Sequence, residues 1–296
     1  MPDFLEIEKS FSFDVYPKRN VVLVRGQNAL VWDDKGQEYI DCVCGHGVAN
    51  LGHANEKVIA AIHQQSKQLI TCSNVFYNER RALLMEKLIA ITPPNLTRVF
   101  LCNSGTEAVE AALKFARFTT KKTDFVSAIG SFHGRSFGAL SATFKPEYRT
   151  DFEPLVPGFS FVPFNDFEEL QGAVTEKTAG ILLEVVQGEG GVNVGDEKYF
   201  QQVRELCDET GVLLIIDEIQ SGFCRTGKMF ASDYYDLDPD IMCLAKAIAG
   251  GLPMGATVCC DKIDIPVGKH GTTFGGNPLA CATALAAIDY MLEKDL

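Results

Sequence analysis

Lys246 is the only charged side chain in the run Ile-Met-Cys-Leu-Ala-Lys-Ala-Ile-Ala-Gly-Gly, residues 241–251. A lysine in so apolar a setting is costly to bury as a cation, so it lowers its basicity or finds a partner. A second charge closes Val-Leu-Leu-Ile-Ile-Asp. There Asp217 ends five apolar residues and is followed by Glu218, Ile219 and Gln220. An acid in that place is expected to be buried and to need a cationic or hydrogen-bonding partner. A plain Asp217–Lys246 ion pair would satisfy both groups.

Three further stretches carry chemistry. Ser104-Gly105-Thr106-Glu107 has the S-x-x-E spacing of a capping box, and Gly105 lets the backbone approach a neighbour closely. The free N–H groups of a helix opened there suit a phosphate, although an ordinary helix cap would need the same residues. Phe132-His133-Gly134-Arg135 follows the run Phe-Val-Ser-Ala-Ile-Gly. Its phenyl ring could stack on a flat ligand and its guanidinium could grip a carboxylate in two-pronged fashion; a solvated surface arginine is the alternative. The glycines of 187–195 resemble a nucleotide loop only superficially. A G-x-G-x-x-G starting at Gly188 would need glycine at 193, where Asn193 stands, and no Walker lysine is present. A flexible glycine turn remains.

The elements that must position these residues alternate between strand and helix. Apolar runs at 99–103, 125–130, 159–164, 180–187, 212–219, 240–245 and 255–260 read as strands. Helical patterns at 107–120 and 198–211 lie between them, the second stopping at Gly211. Runs this uniformly apolar predict a largely parallel sheet covered on both faces, in an α/β domain. Residues 21–26 and 29–41 predict strands around an Asp-Asp-Lys-Gly turn, part of a smaller N-terminal element. Helices over 55–69 and 79–91 lead to Pro93-Pro94. In such sheets ligands bind at the carboxyl ends of the strands, where the stretches above fall.

Composition narrows the partners. The 296 residues are 46% hydrophobic, enough for a sizeable core in one or two domains, and carry a net charge of −12. That charge argues against nucleic-acid or anionic-membrane partners but leaves room for a small basic pocket. The start MPDFLEIEKS lacks a signal-peptide pattern, and no apolar run approaches a membrane span. The ten cysteines include a C-x-C at Cys42 and Cys44 but no C-x-x-C pair, so no metal site is expected. Free thiols in a reducing, cytoplasmic setting fit this usage.

A phosphate cradle, an aromatic face, a buried acid and a buried lysine together suit one cofactor, pyridoxal 5′-phosphate. It needs a lysine amine to condense with, an acid at its ring nitrogen and an anchor for its phosphate.

The chain resembles the class III, fold-type I pyridoxal-phosphate aminotransferases. NSGTEAVEAALKFAR, FHGRSFGALS, EVVQGEGGV, LLIIDEIQSGFCRTGK, PDIMCLAKAIAGGLPMGA and HGTTFGGNPLACATALAAI run in that family's order through nearly the whole chain. Within the family, the stretches VRGQNALVWDDKGQEYIDCVCGHGVANLGH and HGTTFGGNPLA look nearest to the acetylornithine and LysW-aminoadipate-semialdehyde (or LysW-ornithine) aminotransferases of arginine and lysine biosynthesis. The resemblance implies a large domain with a mostly parallel seven-stranded sheet, helices on both faces, over 49–296. Residues 1–48 would form an N-terminal arm and the first part of a small domain.

The resemblance also implies roles. Lys246 would bond the cofactor and Asp217 would keep its ring nitrogen protonated. Gln220 would meet the phenolic oxygen, Phe132 and Ile219 would cover the two ring faces, and Gly105 and Thr106 would hold the phosphate. Thr273 would reach the phosphate of a neighbouring subunit, implying a homodimer with shared active sites. Arg135 would bind a substrate carboxylate. Glu189 would pair with an arginine of a C-terminal segment when an ω-amino substrate is bound and release it for glutamate or 2-oxoglutarate. His46 would face the ω-amino substrate, or pack as a structural histidine.

The implied reaction moves the ω-amino group of an N-acylated or carrier-protein-linked ornithine- or lysine-type amino acid to 2-oxoglutarate. Ornithine, 4-aminobutyrate and glutamate-1-semialdehyde chemistries are alternatives within the family. The chain stops at Ile-Asp-Tyr-Met-Leu-Glu-Lys-Asp-Leu, where relatives continue into a C-terminal small domain. A cofactor-binding remnant without catalysis is therefore the alternative from another class.

Overall fold

A computed structural model describes residues 2–296. The strands, in chain order, are β1 Leu23–Gln27, β2 Leu30–Asp33, β3 Glu38–Ile40, β4 Leu96–Cys102, β5 Asp124–Ala128, β6 Phe159–Val162, β7 Thr178–Leu183, β8 Val186–Gln187, β9 Asn193–Val194, β10 Leu213–Asp217, β11 Ile241–Leu244 and β12 Gly255–Cys260. Seven of them form one sheet in the order β4-β12-β11-β10-β7-β5-β6. Only β12 runs against the rest, pairing antiparallel with both β11 and β4.

The sheet is apolar on both faces, and the two faces feed separate cores. Leu213 and Ile215 of β10 pack with the helix Gly105–Thr120 and the helix Pro278–Lys294 on one side. Leu214 and Ile216 pack with Tyr199, Phe200 and Val203 of the helix Glu197–Thr210 on the other. Side chains alternate along a strand, so a run buried on both sides must be apolar throughout. Any charge in such a run then sits at its end, facing a loop.

The helix Gly105–Thr120 begins as the spacing predicts. The Ser104 hydroxyl accepts the Glu107 N–H at 3.3 Å, while the Glu107 carboxylate accepts from the Asn103 N–H at 2.9 Å and the Ser104 hydroxyl at 3.0 Å. The helix Glu197–Thr210 ends at Gly211, where φ turns to +69°. The helices Glu56–Ser66 and Glu79–Ile91 lie where their patterns place them.

Two expectations shift. The run at 180–187 is broken: β7 ends at Leu183, and Val186–Gln187 turns away as β8. β8 pairs with β9 around the glycines of 188–191, so this segment is a hairpin rather than a loose glycine turn. The N-terminal strands β1, β2 and β3 form their own antiparallel sheet, with the turn at Asp33–Gly36. Among the described residues no helix is long and apolar enough to cross a membrane, and no cluster of three metal-ligating side chains occurs.

Candidate active site

The carboxyl ends of β4, β5, β7, β10 and β11 open into one cavity of ≈ 720 Å³. Lys246, Asp217, Gly105, Thr106, Phe132, Arg135, Ile219, Gln220, Glu189 and His46 all line it. Residues up to 200 positions apart are thus brought together by parallel strands that deliver their ends to the same edge. Thr273 stands outside this wall and is exposed.

Lys246 follows β11 by two residues, with its backbone in the left-handed region at φ +47°. Strain of this kind, of order 1–3 kcal/mol, survives where the surroundings dictate the conformation. Its ammonium donates to the Gln220 side-chain oxygen. Burial pulls the Lys246 pKa down, while Asp217, Glu184 and Glu189 pull the other way. The net lowering makes its amine a better proton acceptor near neutral pH.

Asp217 does not pair with Lys246. Its Oδ2 meets His133 Nδ1 at 2.8 Å, and its Oδ1 accepts the Ile219 N–H at 3.0 Å. Both partners are fully enclosed, so the plain Asp217–Lys246 ion pair is replaced by an aspartate–histidine pair. The reason is topological: β5 and β10 are separated in the sheet only by β7. Burial alone would strip the proton from His133, but the Asp217 bond and the charges of Asp217 and Glu184 reverse this and raise its pKa. His133 Nε2 is buried with no hydrogen-bond partner.

Glu184 sits just past β7, almost fully buried, and accepts the Phe132 N–H at 3.1 Å. Burial raises its pKa. It thereby ties the ring-bearing Phe132 backbone to the acid cluster. The sequence assigns no role to His133 or Glu184: Glu184 lies inside the apolar run 180–187, and only the end of β7 at Leu183 puts it at a strand end.

The cradle at the helix N-terminus is close-packed. A β-carbon at Gly105 would lie 2.9 Å from Ile219 Cδ1, so the absence of a side chain lets Ile219 sit against the backbone. A β-carbon at Gly134 would lie 2.5 Å from Thr106 Oγ1, which locks the Phe132–Arg135 loop against the helix. The Ser136 hydroxyl donates to Glu110 at 2.6 Å and lies 2.7 Å from Thr106 Oγ1. Ser136 has one proton, already given to Glu110, so the Thr106 hydroxyl is the donor in the second contact. The Glu107 and Ala108 N–H groups are taken by Ser104, which leaves those of Gly105 and Thr106 as the free backbone donors of the cradle.

Opposite lies an unusual turn. Cys44, Gly45, His46 and Gly47 all have φ between +51° and +73°, one turn of left-handed helix. Each non-glycine residue there costs roughly 1–2 kcal/mol. Asp41 offsets part of this by accepting the Val43 and Cys44 N–H groups, both at 2.9 Å, and is itself held by His53 at 2.7 Å. His46 reaches the cavity wall from this turn.

Arg135 lies 3.4 Å over the ring centroid of Tyr148 and 5.5 Å from that of Phe132. Its guanidinium is stacked rather than salt-bridged. Tyr148 also donates its hydroxyl to Glu189 at 2.7 Å.

The residues fit a phosphorylated, aromatic aldehyde cofactor. A lysine of lowered pKa, an acid with an adjacent histidine, free helix N–H groups and a phenyl ring surround one space of sufficient size. This arrangement at the ends of a mixed seven-stranded sheet is that of a fold-type I pyridoxal-phosphate enzyme. The sequence pattern of the family described as "Aminotransferase class-III" matches residues 14–296, and the chain belongs to that family. It is 48% identical over 296 residues to the acetylornithine aminotransferase of Methanopyrus kandleri, covering 99% of this chain and 76% of the relative. It is 48% identical to the [LysW]-aminoadipate semialdehyde transaminase of Deinococcus radiodurans, covering 99% and 69%. A crystal structure of the ornithine aminotransferase of Toxoplasma gondii, with partial occupancy of pyridoxal phosphate at its active site, superposes with a TM-score of 0.93. That match has 34% identity and covers 99% of this chain and 71% of that one. The protein is a pyridoxal-phosphate-dependent aminotransferase.

Proposed function

We propose that this enzyme moves the ω-amino group of an N-acylated or carrier-linked ornithine- or lysine-type amino acid to 2-oxoglutarate. The products are a semialdehyde and glutamate, in arginine or lysine biosynthesis. The observation that carries this reading is an arginine, Arg135, stacked in the same cavity as a lysine of lowered basicity. Such a site is built for amines that also bear a carboxylate. The names of the relatives from M. kandleri and D. radiodurans support the N-acylated or carrier-linked class.

When bound, pyridoxal phosphate supplies an aldehyde that condenses with amines and a cationic ring that accepts the electron pair left by proton removal. Lys246 would bond the cofactor and, once freed, would carry a proton to and from the substrate; its lowered pKa suits it to both directions. Asp217, kept in place by His133 and the Ile219 N–H, is the acid to hold the proton on the ring nitrogen. Gln220 is the partner for the phenolic oxygen. Phe132 and Ile219 would cover the ring, and Gly105 and Thr106 would offer backbone N–H groups to its phosphate.

The reading extends to assembly. Leu69, Ile70, Val75, Phe76, Tyr77 and Phe274 are exposed apolar side chains. They lie on two segments braced against each other: Asn74 donates to the Thr272 and Gly275 carbonyls, and buried Arg81 to those of Cys72, Phe76 and Gly276. A second copy of the chain is the occupant proposed for this face, with Thr273 of each copy serving its partner's phosphate site. Residues 49–296 are proposed as the cofactor-binding domain and 1–48 as an arm leading into a smaller one; the separate β1–β3 sheet supports this division.

An amine panel tests the substrate. N-acetylornithine, a carrier-linked lysine, ornithine, 4-aminobutyrate and putrescine are each given with 2-oxoglutarate, and glutamate is measured. The N-acylated or carrier-linked amine should be fastest; equal or better turnover of putrescine, which has no carboxylate, would overturn the reading. Arg135→Lys isolates the carboxylate contact. Loss of a charge-assisted fork should cost roughly 1.5–3 kcal/mol, about 10- to 150-fold in kcat/KM for an ω-amino acid. The decarboxylated amine should be nearly indifferent. Equal losses for both would mean that Arg135 supports the loop instead of reading a carboxylate.

A further inference from the structure

Tyr148 touches both charged side chains that frame the substrate space. The guanidinium of Arg135 lies 3.4 Å over its ring centroid, a stacking distance that fixes the plane of the fork. On its other side the hydroxyl donates to Glu189 Oε1 at 2.7 Å, and Lys145 Nζ stands 3.8 Å from the same oxygen. Lys145 Nζ is also 4.8 Å from the Tyr148 ring centroid. Phe132 meets the ring edge-on at 6.0 Å between centroids. All of Phe132, Arg135, Tyr148 and Glu189 line the one cavity.

These contacts constrain two charges at once. A carboxylate substrate needs Arg135 presented flat and unpaired. A substrate with two carboxylates also needs Glu189 to stay out of its way, since like charges brought close repel even where, as here, the Glu189 side chain is half-exposed. A single phenol meets both needs: its ring holds the arginine and its hydroxyl keeps Glu189 against the wall beside Lys145.

We propose that Tyr148 is a positioning residue for dicarboxylate recognition, orienting Arg135 through its ring and withholding Glu189 through its hydroxyl. This rests on the reading that Arg135 receives a substrate carboxylate. It assigns the discrimination between glutamate-type and ω-amino substrates in part to a side chain on the short helical turn Pro146–Arg149, outside the sheet-end loops. The two duties are separable because they use different parts of the ring. Phenylalanine keeps the stacking surface and removes only the hydrogen bond to Glu189. Leucine removes both.

The test uses the cofactor-loaded full chain. Glutarate, an unreactive dicarboxylate, and butyrate, its monocarboxylate counterpart, are titrated by calorimetry, and the half-reactions with glutamate and with the best ω-amino acid are timed. Tyr148→Phe should weaken glutarate and raise the KM for glutamate roughly 3- to 10-fold, the span of one net hydrogen bond, with kcat little changed. Butyrate and the ω-amino acid should shift less than about 2-fold, within the spread of neutral surface changes. Adding Glu189→Gln to Tyr148→Phe should restore glutarate binding, because the freed acid is then neutral. Tyr148→Leu should weaken all carboxylates by loosening Arg135. The proposal is overturned if Tyr148→Phe affects glutarate and butyrate equally, or affects neither, or if Glu189→Gln fails to rescue. Should Arg135→Lys also leave every carboxylate unaffected, the underlying reading of Arg135 fails as well; if Arg135→Lys weakens them and Tyr148→Phe does not, only the role of Tyr148 fails.

Discussion

Lys246→Ala is expected to abolish turnover while leaving a folded protein. Two separate functions disappear with one amine: the bond to the cofactor and the proton carrier at the substrate carbon. A positioned general acid–base alone contributes roughly 10²–10⁴-fold, so the loss in kcat should reach at least that range. The visible absorbance of the cofactor-loaded enzyme should change in the same variant, because no lysine remains in the cavity to bond it. Folding should survive. Lys246 makes one side-chain hydrogen bond, to Gln220, and its burial works against its own charge. Its left-handed backbone conformation is one that alanine must also adopt, so that cost is carried by both forms. Thermal unfolding and the absorbance spectrum decide the matter together. A stable variant with wild-type turnover would remove Lys246 from the mechanism; a variant that unfolds would show instead that the lysine is structural.

The residues that were legible in the sequence share one physical signature. Lys246 and Asp217 are charges at the ends of strands buried on both faces, where the cost of burying a charge makes it conspicuous. The capping box at Ser104 was legible because it is a local hydrogen-bond pattern, closed within four residues. What stayed hidden depends on order in space. His133 becomes the partner of Asp217 only because β7 alone separates β5 from β10, and strand order leaves no trace in periodicity. The reversal of β12 was equally silent, since a buried antiparallel strand and a buried parallel one are both uniformly apolar. Glu184 is hidden for a nearer reason: the run 180–187 has the pattern of one strand, which puts the acid inside it, and only the structure ends β7 at Leu183. Tyr148 sits in no motif; beyond nearby Lys145, its contacts lie with Arg135 and, 41 residues on, with Glu189. The left-handed turn at 44–47 is equally hidden, since Cys44 and His46 do not favour that conformation.

Asp217 offers the second large effect, and the pair of variants Asp217→Asn and Asp217→Ala divides its chemistry from its packing. Asparagine keeps the shape, can still accept the Ile219 N–H and can still meet His133, but carries no charge. A preorganised electrostatic group of this kind is worth about 10²–10³-fold in rate, so the cofactor-saturated half-reaction of Asp217→Asn should slow by at least about 10²-fold. Alanine removes the carboxylate and leaves His133 enclosed with neither ring nitrogen bonded, since Nε2 already lacks a partner. Breaking a buried pair in this way costs roughly 3–5 kcal/mol, so Asp217→Ala should also unfold at a clearly lower temperature. The sign of the histidine titration follows from the same contacts. Burial favours neutral His133, and the Asp217 bond and charge reverse that preference, so His133 should lose its proton at lower pH in either variant than in the native enzyme. Nuclear magnetic resonance of the imidazole, a pre-steady-state rate at saturating cofactor and a melting curve measure the three consequences independently. If the saturated Asp217→Asn enzyme kept its full rate, the ring-nitrogen role would be wrong, and Asp217 would serve only to hold His133 in the core.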